Sequence, residues 1–191
     1  MTTAAAFLAA APERIELDED VVLRTYTPED IPQLVDVVNR QLDHLRPYMP
    51  WAQEPVTVEA QTAWWQGTMH ARDDGTGDVA YGIFATSGAL LGGTGYHLRG
   101  APGVVEIGYW LTEDATGRGL MTRVTAALVD VARQLEGVRR VEIKCDVSNT
   151  RSAAVPRRLG FRLDRREDRE PLAAAETGCD EVWVLDVGAT G

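Results

Sequence analysis

The fold is decided by Glu106-Ile107-Gly108-Tyr109-Trp110-Leu111 and by Gly117-Arg118-Gly119-Leu120-Met121, which follows after a short loop. The first run is apolar and aromatic and has the length of a strand. Past the glycines the period changes. Met121, Val124, Leu128, Val131 and Leu135 recur at three- and four-residue steps, the stripe of a helix that faces a core. Burying such side chains contributes on the order of 1.5–3 kcal/mol each before chain entropy is subtracted. A strand, a glycine loop and a helix in that order can bind an anion with main chain alone. Glycine lets backbone approach a ligand closely, the first N–H groups of a helix lack partners, and the helix dipole adds positive potential. Arg118 adds a full charge. An ordinary strand-to-helix turn also contains two such glycines, so the pair decides nothing by itself. Spelling removes two alternatives. A P-loop requires Gly-Lys-Ser/Thr, which is absent, and a dinucleotide fingerprint requires a third glycine where Thr122 stands.

Downstream, Arg140 to Val147 alternates, with Val141, Ile143, Cys145 and Val147 on one face and Glu142, Lys144 and Asp146 on the other. This pattern predicts a strand with one buried side. Ser152 to Leu159 reads as a short helix ended by Gly160, with Pro156 tolerable only near its first turn. Asn149 reads most simply as the cap of that helix, with Ser152 in its first turn. The sharper reading has Asn149 bonding an amide-rich ligand and Ser152 donating to a leaving group. Cys145 falls on the apolar face of its strand, where free cysteine behaves as a small hydrophobe.

Upstream, Val21 to Thr25 predicts a first strand. Thr27-Pro28-Glu29-Asp30 opens a helix that carries Ile31, Leu34, Val35 and Val38 and fails before Arg46-Pro47. Thr57 caps a second helix through Trp64, Trp65 and Met69, ended by Asp73-Asp74-Gly75-Thr76-Gly77. Val79 to Ala85 and Leu90 to Leu98 flank a Thr86-Ser87-Gly88 turn as a hairpin, and Val104 to Leu111 is a third consecutive strand. Phe161 to Arg165 and Glu181 to Val187 complete the set. The order is βααβββαβαββ, an α/β (α+β) fold whose sheet is mixed and mainly antiparallel, with one parallel pairing.

The chain has 191 residues, 45% of them hydrophobic and 25% charged, enough for one well-cored domain. Net charge is −10, which argues against a nucleic-acid binder, since that needs a basic face. A cationic partner is compatible with it. Two cysteines suggest no disulfide framework, no run approaches a membrane span, and the scattered histidines form no metal-ligand cluster. The apolar start, Met1 to Ala11, lacks a signal peptide's positive flank and reads as a loose or helical tail on a cytoplasmic protein.

Ile-Gly-Tyr-Trp-Leu at 107–111, Gly-x-Gly at 117–119, Asn-x-x-Ser at 149–152 and Leu-Gly-Phe at 159–161 occur in order and at suitable spacing. Together they resemble the GNAT superfamily of N-acetyltransferases, in its RimJ/RimL branch, over roughly residues 21–187. Arg139-Arg140 followed by Glu142-Ile143-Lys144-Cys145 is also similar to that branch. Asp114 departs from the superfamily's usual Gln or Arg three residues before the first glycine. The resemblance implies about four helices around the sheet, residues 1–20 as an N-terminal tail, 21–187 as the catalytic domain and 188–191 as a C-terminal tail. It further implies acetyl-CoA as cosubstrate, without metal. The backbone of Tyr109, Trp110, Leu111 and Thr112 would pair with the pantetheine arm, while Gly117, Arg118, Gly119, Leu120 and Met121 hold the pyrophosphate. Asn149 would contact the pantetheine and Ser152 would protonate the departing thiolate. The acceptor amine attacks directly, with Glu106 as first candidate base, itself or through water, and Glu170 as second. Tyr48, Trp51 and Trp64 are candidate acceptor contacts, although aromatics there also serve as core filling. The implied acceptor is a basic protein N-terminus; a small amine, such as an antibiotic or aminoacyl compound, is the alternative, and a non-catalytic acyl-CoA-binding module the alternative of another class. Direct nucleic-acid or membrane partners are not implied, and a homodimer is compatible with the sequence.

Overall fold

The computed structural model describes residues 8–74 and 77–188. Its strands are β1 (Arg14–Glu16), β2 (Val21–Thr25), β3 (Val79–Ala85), β4 (Leu90–His97), β5 (Val104–Leu111), β6 (Arg140–Asp146), β7 (Arg162–Asp168) and β8 (Cys179–Asp186). The helices are α1 (Ile31–Arg40), α2 (Leu42–Leu45), α3 (Val58–Asp73), α4 (Leu120–Ala132) and α5 (Thr150–Arg158). One sheet holds the strands in the order β1-β2-β3-β4-β5-β6-β8-β7, and among the described residues its only parallel pair is β5 with β6. The mixed, mainly antiparallel α/β architecture is the one expected.

Alternation along the strands sends neighbouring residues to opposite faces. Leu23, Ile83 and Ile107 join an apolar cluster with Leu120, Val124, Leu128 and Val155, so α4 and α5 cover that face. Val22, Phe84 and Leu90 join Ile31, Leu34, Val38 and Leu42, so α1 and α2 cover the other. The α1 entrance follows the expected chemistry. A short 3-10 turn at Pro28–Asp30 precedes the helix, and the Thr27 N–H donates to Asp30 Oδ2 at 2.8 Å. Thr57 caps α3 as expected, its Oγ1 accepting from the Ala60 N–H at 3.2 Å.

Several expectations are corrected. Residues 1–20, expected as a tail, contain β1, which pairs with β2, while Leu8 and Ala11 lie buried in the main core. Val37 in α1 is buried and Val35 only half-buried, and in α4 the same holds for Val129 over Val131. The apolar stripes are therefore wider than a strict three–four spacing. The polar face of β6 is only partly solvated: Lys144 is half-buried, and Glu142 and Asp146 are buried where Arg165 of β7 and the loop before β8 reach over them. Helix α5 begins two residues early, so Pro156 stands in its last turn. Gly75 and Thr76, the expected end of the second helix, lie outside the described residues, as do residues 1–7 and 189–191 of the expected tails. Among the described residues no helix is long and apolar enough to cross a membrane.

What positions the site is a gap in the sheet. β5 pairs with β6 only at Val104↔Arg140, Val105↔Val141 and Glu106↔Glu142, yet it stays paired with β4 as far as Gly92↔Leu111. β6 meanwhile continues along β8 to Asp146↔Asp180. Beyond Glu106 the two central strands therefore diverge.

Candidate active site

Gly117 and Gly119 sit at φ +74° and +71°, in the left-handed region that other residues enter only at a cost. A Cβ at Gly117 would meet nothing within 4 Å, so backbone conformation, not crowding, requires the glycine. Gly119 is the N-cap of α4 and has no side chain to bond the helix's first N–H groups. They are left for a ligand, with the helix dipole behind them. The groove they face measures about 1200 Å³. Gly117, Gly119, Leu120 and Met121 line one wall, and Asn149, Ser152 and Arg158 the other. Leu120 and Met121 are buried, so only their main chain is on offer for an anion. Arg118 is exposed, and its carbonyl accepts from Arg123 Nη1 at 3.2 Å.

Along β5 the expected pairing segment divides in two. The Thr112 N–H donates to the Leu91 carbonyl at 2.8 Å, which fixes the hydrogen-bonding parity with β4. By alternation, Trp110 and Thr112 spend their main-chain groups on β4, while Tyr109 and Leu111 turn theirs into the gap. The expectation that Trp110 and Thr112 also offer backbone to a ligand is thus corrected by strand geometry.

At the far side of the gap, α5 is locked to β5. The Asn149 side chain caps the helix by accepting from the Ser152 N–H at 3.1 Å. Pro156 has no N–H to give the Ser152 carbonyl, and the Tyr109 hydroxyl donates to that carbonyl instead, at 3.1 Å. Ser152 Oγ in turn donates to the Tyr109 hydroxyl oxygen at 3.2 Å. Burial holds the Tyr109 phenol protonated well past its ordinary range, although Ser152 works the other way. Burial likewise pushes the Cys145 thiol up to about 11, so it is no thiolate nucleophile near neutral pH.

A second cleft, of about 700 Å³, opens from the side of α1 and α3. Tyr48, Trp51 and Trp64 line it. Trp51, 47% exposed, meets Trp110 edge-on at 5.9 Å, and Trp64, 42% exposed, meets Tyr26 edge-on at 5.7 Å. The Tyr48 hydroxyl reaches the Ser148 carbonyl at 3.3 Å. Glu106 faces this cleft, its carboxylate 3.5 Å from Arg99 Nη1 and 4.0 Å from Lys144 Nζ. Glu170 is exposed and lines neither cleft. Sequence reasoning missed Arg158 in the groove wall and the pairing of His97 with Asp78 in this cleft. The second is a product of strand register and has no local spelling. Among the described residues no group of three His, Cys, Asp or Glu is placed to hold a metal ion. The two clefts meet, and both are lined by Tyr48, Met49, Tyr109, Trp110, Asn149 and Ser152.

Known proteins resemble the chain in sequence and in fold. Residues 20–162 match the family model described as acetyltransferase (GNAT) domain. The ribosomal-protein-serine acetyltransferase of Escherichia coli (strain K12) is 27% identical over 153 residues, 80% of this chain and 84% of that one. Among solved structures, RimL, a ribosomal L7/L12 alpha-N-protein acetyltransferase in complex with coenzyme A, superposes with a TM-score of 0.82 at 25% identity. It covers 92% of this chain and 98% of its own. The microcin C7 self-immunity acetyltransferase MccE, bound to acetyl-CoA and AMP, shares the fold at 18% identity, with a TM-score of 0.83 over 94% of this chain and 99% of its own.

Proposed function

The chain belongs to the acetyltransferase (GNAT) family and is an acetyl-CoA-dependent N-acetyltransferase; from that premise we propose that its acceptor is the α-amine of a protein N-terminus. The observation that carries this reading is the meeting of two clefts at Tyr109 and Ser152, one built for an anionic carrier and one open to an acceptor. The E. coli and RimL relatives, named for ribosomal-protein acetylation, support it. We take residues 21–187 as the catalytic domain, with β1 adding an edge strand.

The residues present suit acetyl-CoA. The free N–H groups opening α4 suit its diphosphate, and the unpaired edge formed by Tyr109 and Leu111 suits the amides of its pantetheine arm. Asn149 lines both clefts and holds Ser152 in place. Ser152 Oγ, which donates to the Tyr109 hydroxyl oxygen at rest, turns its proton to the departing thiolate. Glu106 faces the acceptor cleft and draws an ammonium group inward. The acceptor must be neutral to attack. An α-amine needs only about 1–1.4 kcal/mol for deprotonation at pH 7, whereas a lysine needs roughly 4.6 kcal/mol. The α-amine is therefore the acceptor that a weak base in the cleft can deprotonate near neutral pH.

A panel read by thiol release from acetyl-CoA tests this. Peptides with a free N-terminus are expected to release thiol, whereas the same peptides blocked at the N-terminus but carrying lysine are not. Release with small amines alone would overturn the acceptor assignment.

A further inference from the structure

His97 ends β4, and in the antiparallel ladder it stands opposite Glu106 of β5. Its imidazole does not stay over that partner. Nδ1 lies 2.6 Å from Asp78 Oδ2, and Asp78 is held in turn by the Leu98 N–H, which donates to Oδ1 at 3.1 Å. Nε2 is carried diagonally over Gly108, where a Cβ would stand only 2.7 Å from it. The absent side chain at Gly108 is therefore what lets the ring lie there. An ionised carboxylate only accepts, so Nδ1 carries the proton in the Asp78 contact, and in the neutral imidazole Nε2 is the nitrogen that bears the lone pair. Asp78 stays ionised: burial alone would raise its pKa, but the bonds from His97 and Leu98 hold it below the ordinary range.

Position matters as much as protonation. Gly108 lies two residues beyond Glu106 toward the open end of the gap, about 7 Å further along the strand. Glu106 is engaged by two cations, Arg99 and Lys144, whereas among the described residues Nε2 has no hydrogen-bond partner. Asp78, His97 and Gly108 all line the acceptor cleft, which Ser152 also lines and shares with the groove.

We propose that His97 is the catalytic base of acetyl transfer, with Asp78 as its positioning residue. The inference rests on the N-acetyltransferase reading above and replaces Glu106 in that one role. Nε2 takes a proton from the acceptor ammonium and passes it to solvent. The freed nitrogen lone pair forms the C–N bond to the thioester carbonyl carbon, and the C–S bond breaks. The nitrogen's second proton leaves through the same imidazole, while the thiolate is protonated from Ser152, which refills from solvent. The sum is ammonium plus acetyl-CoA giving amide, free thiol and one proton.

The test measures thiol release by wild type and by His97→Ala, Asp78→Asn, Asp78→Glu and Gly108→Ala, each at saturating N-terminal peptide. His97→Ala is expected to lower kcat at least about a hundredfold with KM for acetyl-CoA unchanged, and added imidazole should restore turnover. Asp78→Asn and Gly108→Ala should lower kcat without weakening acetyl-CoA, and Asp78→Glu should recover part of the loss. An active wild type whose His97→Ala variant keeps kcat within a few-fold, or is insensitive to imidazole, overturns the base assignment and leaves the acetyltransferase reading standing. A wild type inactive on every amine overturns both.

Discussion

Ser152 uses every polar atom it has: the N–H on Asn149, the carbonyl on Tyr109, and Oγ on the Tyr109 hydroxyl. Ser152→Ala removes only the last, so the helix cap survives. We expect kcat to fall about a hundredfold while acetyl-CoA binds as before, measured by thiol release and calorimetry. Asp146, at the end of β6, makes a stability prediction. It accepts from the N–H and hydroxyl of Ser148, the N–H and hydroxyl of Thr177, and the N–H of Gly178. Burial by itself would raise its pKa, but these donors together hold the carboxyl well below the ordinary range. A depressed carboxylate stabilises the fold fully above its unfolded pKa of about 3.9, and that contribution fades as pH falls toward the folded value. Asp146→Asn should lower stability by about 2–3 kcal/mol at pH 7, with the difference from wild type shrinking below pH 4, as read from urea midpoints. At this scale the sequence showed Asn149 and Ser152, whose cap spelling is local. It could not show His97 with Asp78, because their meeting depends on the register of β3 against β4, nor Tyr109 with Ser152, which are brought together across the gap.

Between β5 and α4 the chain turns on two left-handed glycines, and the second is the cap of the helix. Gly119→Ala forces a Cβ into that conformation at a cost of about 1–2 kcal/mol, although the nearest atom, Arg123 Nη1, is 3.9 Å away. The helix should survive while its first N–H groups tilt. We expect a several-fold rise in KM for acetyl-CoA with a modest fall in melting temperature, and an unchanged KM would detach this turn from the carrier. Elements with strong periodicity or punctuation were legible. β3, β5 and α4 begin where a β-branched run or a glycine pair says they should. The three residues of β1 carry no such signal, and only pairing with β2 makes them a strand. Helix α5 starts directly after its Asn149 cap and not at Ser152, which is why its proline stands two residues deeper in the helix than expected.

The whole molecule carries a net charge of −10, and the acceptor cleft follows that balance. Asp78, Glu106, Asp146, Glu176 and Asp180 line it against Arg99, Lys144 and Arg169. A cationic acceptor is therefore steered inward, and salt should weaken the steering. Raising ionic strength from 0.01 to 0.15 M shortens the screening length from about 30 to about 8 Å. For a peptide with basic residues after its N-terminus, kcat/KM should fall over that range while kcat holds; a flat kcat/KM would make the acidity a matter of solubility alone. The divergence of β5 and β6 bears on the protein's survival as well as its chemistry. A sheet interrupted at its centre leaves the main chain of Tyr109 and Leu111 without a pairing strand among the described residues, so the native state lacks part of its cohesion until a guest supplies it. By mass action the folded population then rises with the concentration of that guest. A cell short of acetyl-CoA would hold this enzyme in a more loosely closed form, more open to proteases, so metabolic state would be written into its lifetime as well as its rate.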